Sequence, residues 1–151
     1  MKIEEQINTI AHELEKEKQA QVQMDVNELT QRIIGCAFTV HNALGTGFLE
    51  KVYENALLVE LKANGLEAVQ QKPVSVYYRD VCVGAYYADL VVEDRILVEL
   101  KAVQNLTREH EVQLVNYLNA TGYDDGLLLN FGPSVEVKRK FRDYVSKKPK
   151  E

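Results

Sequence analysis

Tyr87-Ala88-Asp89-Leu90-Val91-Val92-Glu93-Asp94-Arg95-Ile96-Leu97-Val98-Glu99-Leu100-Lys101 is the stretch that decides the fold. Two apolar runs flank a short charged turn, which is the pattern of a β-hairpin. Asp89, Glu99 and Lys101 interrupt runs that should be buried. A charge in a buried strand is expensive unless it is paired or holds a metal. Two carboxylates and an ammonium on neighbouring strands suit metal-assisted phosphodiester hydrolysis. The acids hold a divalent cation, and the lysine orients water or neutralises developing charge.

Strand alternation sharpens this expectation. Leu97, Glu99, Lys101 and Val103 share one face, and Ile96, Val98, Leu100 and Ala102 the other. Asp89 joins the Glu99 face only if Val92 stands opposite Ile96. The loop is then Glu93-Asp94-Arg95, and Asp89 lies across from Glu99. Cross-strand neighbours have Cβ atoms roughly 5 Å apart, near enough to share a cation. A two-residue turn would send the acids to opposite faces unless a bulge restored the parity.

Outward from the hairpin, strands are expected at about 68–78, 81–92 and 96–103, with Arg79-Asp80 as the first turn. Before them, Asp25 or Asn27 caps a helix to about Leu44, striped by Leu29, Ile33, Ala37, Val40 and Leu44. Gly45 is its expected stop. Thr46 or Gly47 opens a second helix, ending before Gly65, with Leu49, Val52, Tyr53, Ala56, Leu57 and Leu61 inward. After the hairpin, Thr107 caps a helix to about Ala120, and Gly122 stops it. Gly126–Phe131 is continuously apolar and glycine-bounded, as an interior strand is. A last strand or turn precedes the basic tail. Residues 2–24 are polar, with Ile3, Ile7, Ile10 and Leu14 at helical spacing. Three fates stay open for that N-terminal helix: packing on the core, pairing with another chain (a homo-oligomer or a protein partner), or mobility. The order predicts an α+β fold with a mixed sheet, and a right-handed crossover if the strands around the 107–120 helix are parallel.

At 151 residues the chain fits one domain. No apolar run approaches the ~20 residues that span a bilayer, so no membrane association is expected. Met1-Lys2-Ile3-Glu4-Glu5 starts no signal-peptide core. Cys36 and Cys82 have no metal-binding spacing and read as two reduced core thiols of a cytoplasmic protein. The net charge of −5 argues against a broad DNA-gripping surface. A basic cluster does occur at Lys138, Arg139, Lys140, Arg142, Lys147, Lys148 and Lys150. It reads either as a solvated, frayed tail or as a phosphate-contacting edge. No nucleophile-elbow serine and no P-loop is present.

Asp89, nine intervening residues, then Glu99-x-Lys101 resembles the PD-(D/E)xK nuclease signature, with Ala88 where the signature has proline. Gly47-Phe48-Leu49-Glu50-Lys51-Val52-Tyr53 is similar to the GxxExxY family of bacterial proteins. Gln113-Leu114-Val115-Asn116-Tyr117 is similar to the QxxxY motif of RecB-like exonucleases. The resemblance runs from about Leu29 to Phe141. It implies a restriction-endonuclease-like αβββαβ core at 25–145, an N-terminal helical extension at 1–24 and a basic tail at 146–151.

The resemblance also implies roles. Asp89, Glu99, Glu50 and the Leu100 carbonyl would ligate Mg²⁺ or Mn²⁺, since oxygen donors without His or Cys suit a hard cation. Lys101 would hold or activate water. Gln113, Tyr117 and Tyr53 would contact the substrate, with DNA ahead of RNA as the nucleic acid. Without the resemblance, Tyr53 reads as a core aromatic, Glu50 as a boundary carboxylate, Gln113 as exposed and Tyr117 as half-buried. Lys101 would be a salt-bridge partner of Glu99 or Asp89. His110, three before Gln113, could face the same cleft. The rival function is a non-catalytic nucleic-acid-binding or protein-interaction module on the same fold.

Overall fold

The computed structural model describes residues 2–22 and 24–143. The chain divides into two compact units, residues 1–31 and 32–151. In the first lies helix α1 (Lys2–Val22). Its stripe of Ile3, Ile7, Ile10 and Leu14 is exposed. Helix α2 (Val26–Leu44) begins in the first unit and ends in the second. Gly45 stops it with φ +75° and an N–H donated to the His41 carbonyl at 2.8 Å.

The second unit is built on five strands in spatial order β1-β2-β3-β4-β5. They are β1 (Ala68–Tyr78), β2 (Val81–Val92), β3 (Ile96–Lys101), β4 (Asp125–Phe131) and β5 (Val135–Phe141). Helix α3 (Glu50–Ala63) precedes the sheet, and α4 (Arg108–Thr121) links β3 to β4. Those two strands are parallel; every other neighbouring pair is antiparallel. The molecule is therefore α+β with a mixed sheet.

Hydrophobic alternation sorts the sheet into two faces. Val91, Leu97 and Leu128 form one apolar cluster with Leu114 and Leu118 of α4. Leu90, Val98, Leu100, Leu127, Leu129 and Phe131 have the opposite parity and are fully buried. On that side Tyr53 of α3 stacks on Phe131, ring centroids 4.8 Å apart. Burying a Leu-sized side chain contributes about 1.5–3 kcal/mol, so these two layers dominate the stability of the unit.

Local chemistry departs from expectation in several places; Leu49 and Val52, expected inward, are exposed. Helix α3 starts at Glu50, not at Thr46 or Gly47. The segment before it turns through left-handed backbone at Gly45 and Gly47, φ +75° and +105°, which a continuing helix excludes. Cys82 is exposed on the β1–β2 ribbon, so only Cys36 is a core thiol. The basic cluster begins inside β5 rather than in a frayed tail. There Arg139 pairs with Asp125 at 3.3 Å, Lys140 with Glu111 at 2.6 Å, and Arg142 with Asp124 at 2.9 Å. Lys147, Lys148 and Lys150 lie outside the described residues, as does the 146–151 tail.

Candidate functional site

The hairpin of β2 and β3 has the register that parity requires. Val92 stands opposite Ile96, Val91 opposite Leu97, and Leu90 opposite Val98. Glu93 and Asp94 take positive φ, +53° and +50°, and the Arg95 N–H returns to the Val92 carbonyl at 3.0 Å. Beyond Leu90 and Val98 the ladder stops. Asp89 there replaces the strand's own acceptor: its Oδ2 receives the Leu100 N–H at 2.9 Å. A buried N–H left without such an acceptor would cost about 1–3 kcal/mol.

Four carboxyl groups converge at this point. Glu99 is 9% exposed. Its pKa is pushed up to about 9, first by burial and then by the Asp89 charge, with Lys101 opposing. Asp89 is raised as well, by burial and by the charge of Glu54; its bonds to Glu99 and to the Leu100 N–H oppose the rise. Glu50, at the first turn of α3, is raised by burial, while Lys101 pulls it down and Asp89 and Glu54 push it up. Glu54 behaves oppositely. Burial would raise it, but hydrogen bonds from Gln70, Lys51 and Gln71 outweigh burial and hold it below the usual carboxylate range. So the surroundings favour the anion at Glu54 and the neutral form at Asp89, Glu99 and Glu50.

Lys101 ends β3 on the Glu99 face and is half-buried. It forms no ion pair among the described residues, so it is not the salt-bridge partner of Glu99 or Asp89. Its charge acts on Glu50 and Glu99 from a distance. The chain beyond it is fixed by Asn130, its parallel neighbour on β4. The buried Asn130 amide accepts from the Val103 N–H and donates to the Val103 carbonyl, both at 2.9 Å. Gly132 completes the clamp, because a Cβ there would sit 2.5 Å from the Val103 oxygen.

The remaining expected site residues separate. Tyr117 is half-buried and stacks on Tyr86, centroids 3.6 Å apart. Burial raises the Tyr117 hydroxyl, and the charges of Glu99 and Asp89 add to the rise, so this ring does border the acids. Gln113 is exposed, in a surface groove with Arg108, Val112 and Asn116. Tyr53 is not beside the acids as a substrate contact. It is fully buried, donates to the Gly45 carbonyl at 2.6 Å and accepts from the Phe48 N–H at 3.3 Å. It thus ties down the turn that presents Glu50. His110 does not face a cleft either: its Nδ1 accepts the Thr107 N–H at 3.1 Å and caps α4. Sequence reasoning gave no role to Glu54, Gln71, Tyr86 or Asn130. Two of them carry a readable signal, an acid and an amide at positions that the apolar pattern buries.

The donor set suits a hard cation. Among the described residues, Glu99 Oε1 is buried without a hydrogen-bond partner, beside the Asp89 carboxyl whose charge opposes its own. Such an orphaned oxygen calls for a water or an ion. Among the described residues, no three His, Cys, Asp or Glu side chains already stand at ligating positions. Asp89 Oδ2 is engaged by the Leu100 amide.

A five-stranded mixed sheet with acids and a lysine where its central hairpin opens defines a nuclease-type core. The chain belongs to the PD-(D/E)XK nuclease superfamily, which it matches over residues 27–142. Among solved structures it is similar to SSO0001, with 18% identity and a TM-score of 0.48 over 62% of this chain and 50% of that one. It is also similar to an alkaline exonuclease from Laribacter hongkongensis, with 12% identity and a TM-score of 0.48 over 80% of this chain and 72% of that one. The chain thus spans half the length of the first of these. No curated protein matches it. Among the described residues, no helix is long and apolar enough to cross a membrane.

Proposed function

We propose that the protein hydrolyses nucleic-acid phosphodiester bonds with Mg²⁺ or Mn²⁺, and that within its superfamily it is a GxxExxY-type protein. The observation that supports this most is the buried Glu99 Oε1, which has no hydrogen-bond partner among the described residues, beside Asp89, with Glu50 next to Asp89 and the charge of Lys101 acting on Glu50 and Glu99. Asp89, Glu99, Glu50 and the Leu100 carbonyl would hold the cation. When bound, a divalent cation supplies charge neutralisation at the phosphate and a lowered water pKa. Lys101 orients the attacking water through its ammonium and offsets the negative charge that grows on the phosphate oxygens. Tyr117 borders the acids from α4, and Gln113, in the surface groove that Tyr117 also lines, would contact a backbone phosphate there; DNA stands ahead of RNA as substrate. Tyr53 acts one step removed, by fixing the turn before Glu50. Unpaired Cys36 and Cys82 fit a reducing, cytoplasmic setting.

The rival reading, a non-catalytic binding module, is favoured by the charge distribution. The net charge is −5, and Arg139, Lys140 and Arg142 are each committed to an acid. Cleavage of labelled single- and double-stranded DNA and RNA with either metal separates the two, with Lys101→Ala as control. The nuclease reading expects the variant to lose at least ~100-fold in rate at an unchanged melting temperature. Absence of metal-dependent cleavage by the wild type on all four substrates would transfer the case to the module.

A further inference from the structure

Gln71 stands in the middle of β1 with φ +55°. Only a few per cent of non-glycine residues adopt positive φ, and a strand has no need of it. The residue lies opposite Asp89. The β1–β2 ladder runs from Gln70↔Leu90 to Lys72↔Ala88 and omits the pair between. This break has a directional consequence. Residues three apart on a strand should face opposite sides. Yet Ala88 and Val91 share the apolar cluster beneath α4. Alternation is reset at the level of Asp89.

The kink has an anchor. Gln71 Nε2 donates to both carboxylate oxygens of Glu54, at 3.1 and 3.0 Å. Glu54 is 2% exposed and also accepts from the Gln70 amide and, at 2.9 Å, from Lys51. Three of these bonds fall on Oε2 and one on Oε1. Glu54 is thus held from α3 and β1 at once, while its charge also acts on Asp89.

We propose that Glu54 and Gln71 are positioning residues for Asp89. The Glu54 carboxylate grips the Gln71 amide, Gln71 holds the left-handed kink, and the kink turns Asp89 toward Glu99 and the Leu100 amide. Strained backbone of this kind persists only where its surroundings enforce it, and it collects at functional sites. The functional sense of the device rests on the metal-site reading above; its geometry does not.

Wild type, Gln71→Val and Gln71→Gly distinguish the device from ordinary packing. Valine opposes positive φ, whereas glycine accepts it. Two quantities are read: hydrogen exchange of the Leu100 amide in metal-free protein, and Mn²⁺ affinity by titration. In Gln71→Val the Leu100 amide should exchange faster, and Mn²⁺ should bind at least ~10-fold more weakly, as for loss of an outer-shell support. The melting temperature should meanwhile hold or rise, because strain is relieved. Gln71→Gly should lie nearer to wild type in both quantities. A purely structural glutamine predicts the reverse, a lower melting temperature with exchange at Leu100 and Mn²⁺ affinity unchanged. The proposal is overturned if folded Gln71→Val keeps the wild-type Leu100 exchange, or if valine and glycine act alike. Should valine prevent folding, Gln71→Ala against Gln71→Gly decides by the same readouts. A wild type that binds no Mn²⁺ sinks the metal-site reading, and the Leu100 comparison still judges the kink.

Discussion

At the scale of the residue, the site is a problem of charge. Glu99 is held near pKa 9 against an ordinary value of 4.5, through burial and the neighbouring Asp89 charge. The metal-free folded state therefore keeps a proton that the unfolded chain releases. Stability from this group is complete below the unfolded pKa and is lost as pH rises through the folded one. Asp89 is shifted in the same direction and adds to the effect. The melting temperature of metal-free protein should fall between about pH 4.5 and about pH 9, and Glu99→Gln should flatten that fall. A wild-type profile that is level over this window would contradict the crowded-acid account. Asp89→Asn tests the same crowding in the opposite sense. Without metal it should match or exceed wild-type stability, because one repelling charge is gone. With cation at 100 times its Kd the wild type should gain about 2.7 kcal/mol, and the variant should lose most of that gain. Equal metal-induced melting shifts in the two proteins would remove Asp89 from the ligand set.

At the scale of the element, what was legible in the sequence is what alternation and capping encode. The β2–β3 register followed from requiring Asp89 and Glu99 on one face, and Val92 does pair with Ile96. Arg79 and Asp80 form the first turn with positive φ at both, as a two-residue hairpin demands. Gly122 stops α4 at φ +82°. What was not legible depends on contacts between distant segments. Gln71 carries no glycine-like signal for its kink, since the force that bends it comes from Glu54 on another element. Tyr53 looked like a site residue because its motif neighbours Glu50, but its hydroxyl is drawn to the Gly45 carbonyl. Asn130 sat unread inside an apolar strand, yet it fixes the chain just past Lys101. Asn130→Ala should therefore cost about 2 kcal/mol, because two buried backbone groups of Val103 lose their partners. Turnover should fall along with stability, as β3 loses the support that aims Lys101. Denaturant unfolding with a midpoint unchanged from wild type would show that Asn130 is dispensable to the β3 exit.

At the scale of the whole molecule, the question is how an acidic protein would hold a polyanion. Counterion release makes nucleic-acid affinity fall with salt in proportion to the phosphates contacted, with a slope of about −0.9 per phosphate on duplex. The net charge is −5, and three cations of the β5 region already neutralise acids of the same molecule. With those β5-region cations held by internal acids and the net charge negative, substrate would be held mainly at the acid–lysine site and through bound metal. At fixed Mn²⁺, and with a variant that binds but does not cleave, the log–log salt slope should be shallower than about −4. Fluorescence anisotropy with a labelled duplex measures it directly. A steeper slope would reveal a basic surface that the ion-paired β5 strand does not provide. The origin of such a slope is itself testable: if glutamine at Lys147, Lys148 and Lys150 together removes it, the phosphate contacts belong to the basic tail. A shallow slope that vanishes along with the metal would instead tie binding to the carboxylate cluster, as a hydrolase that grips only its scissile phosphate requires.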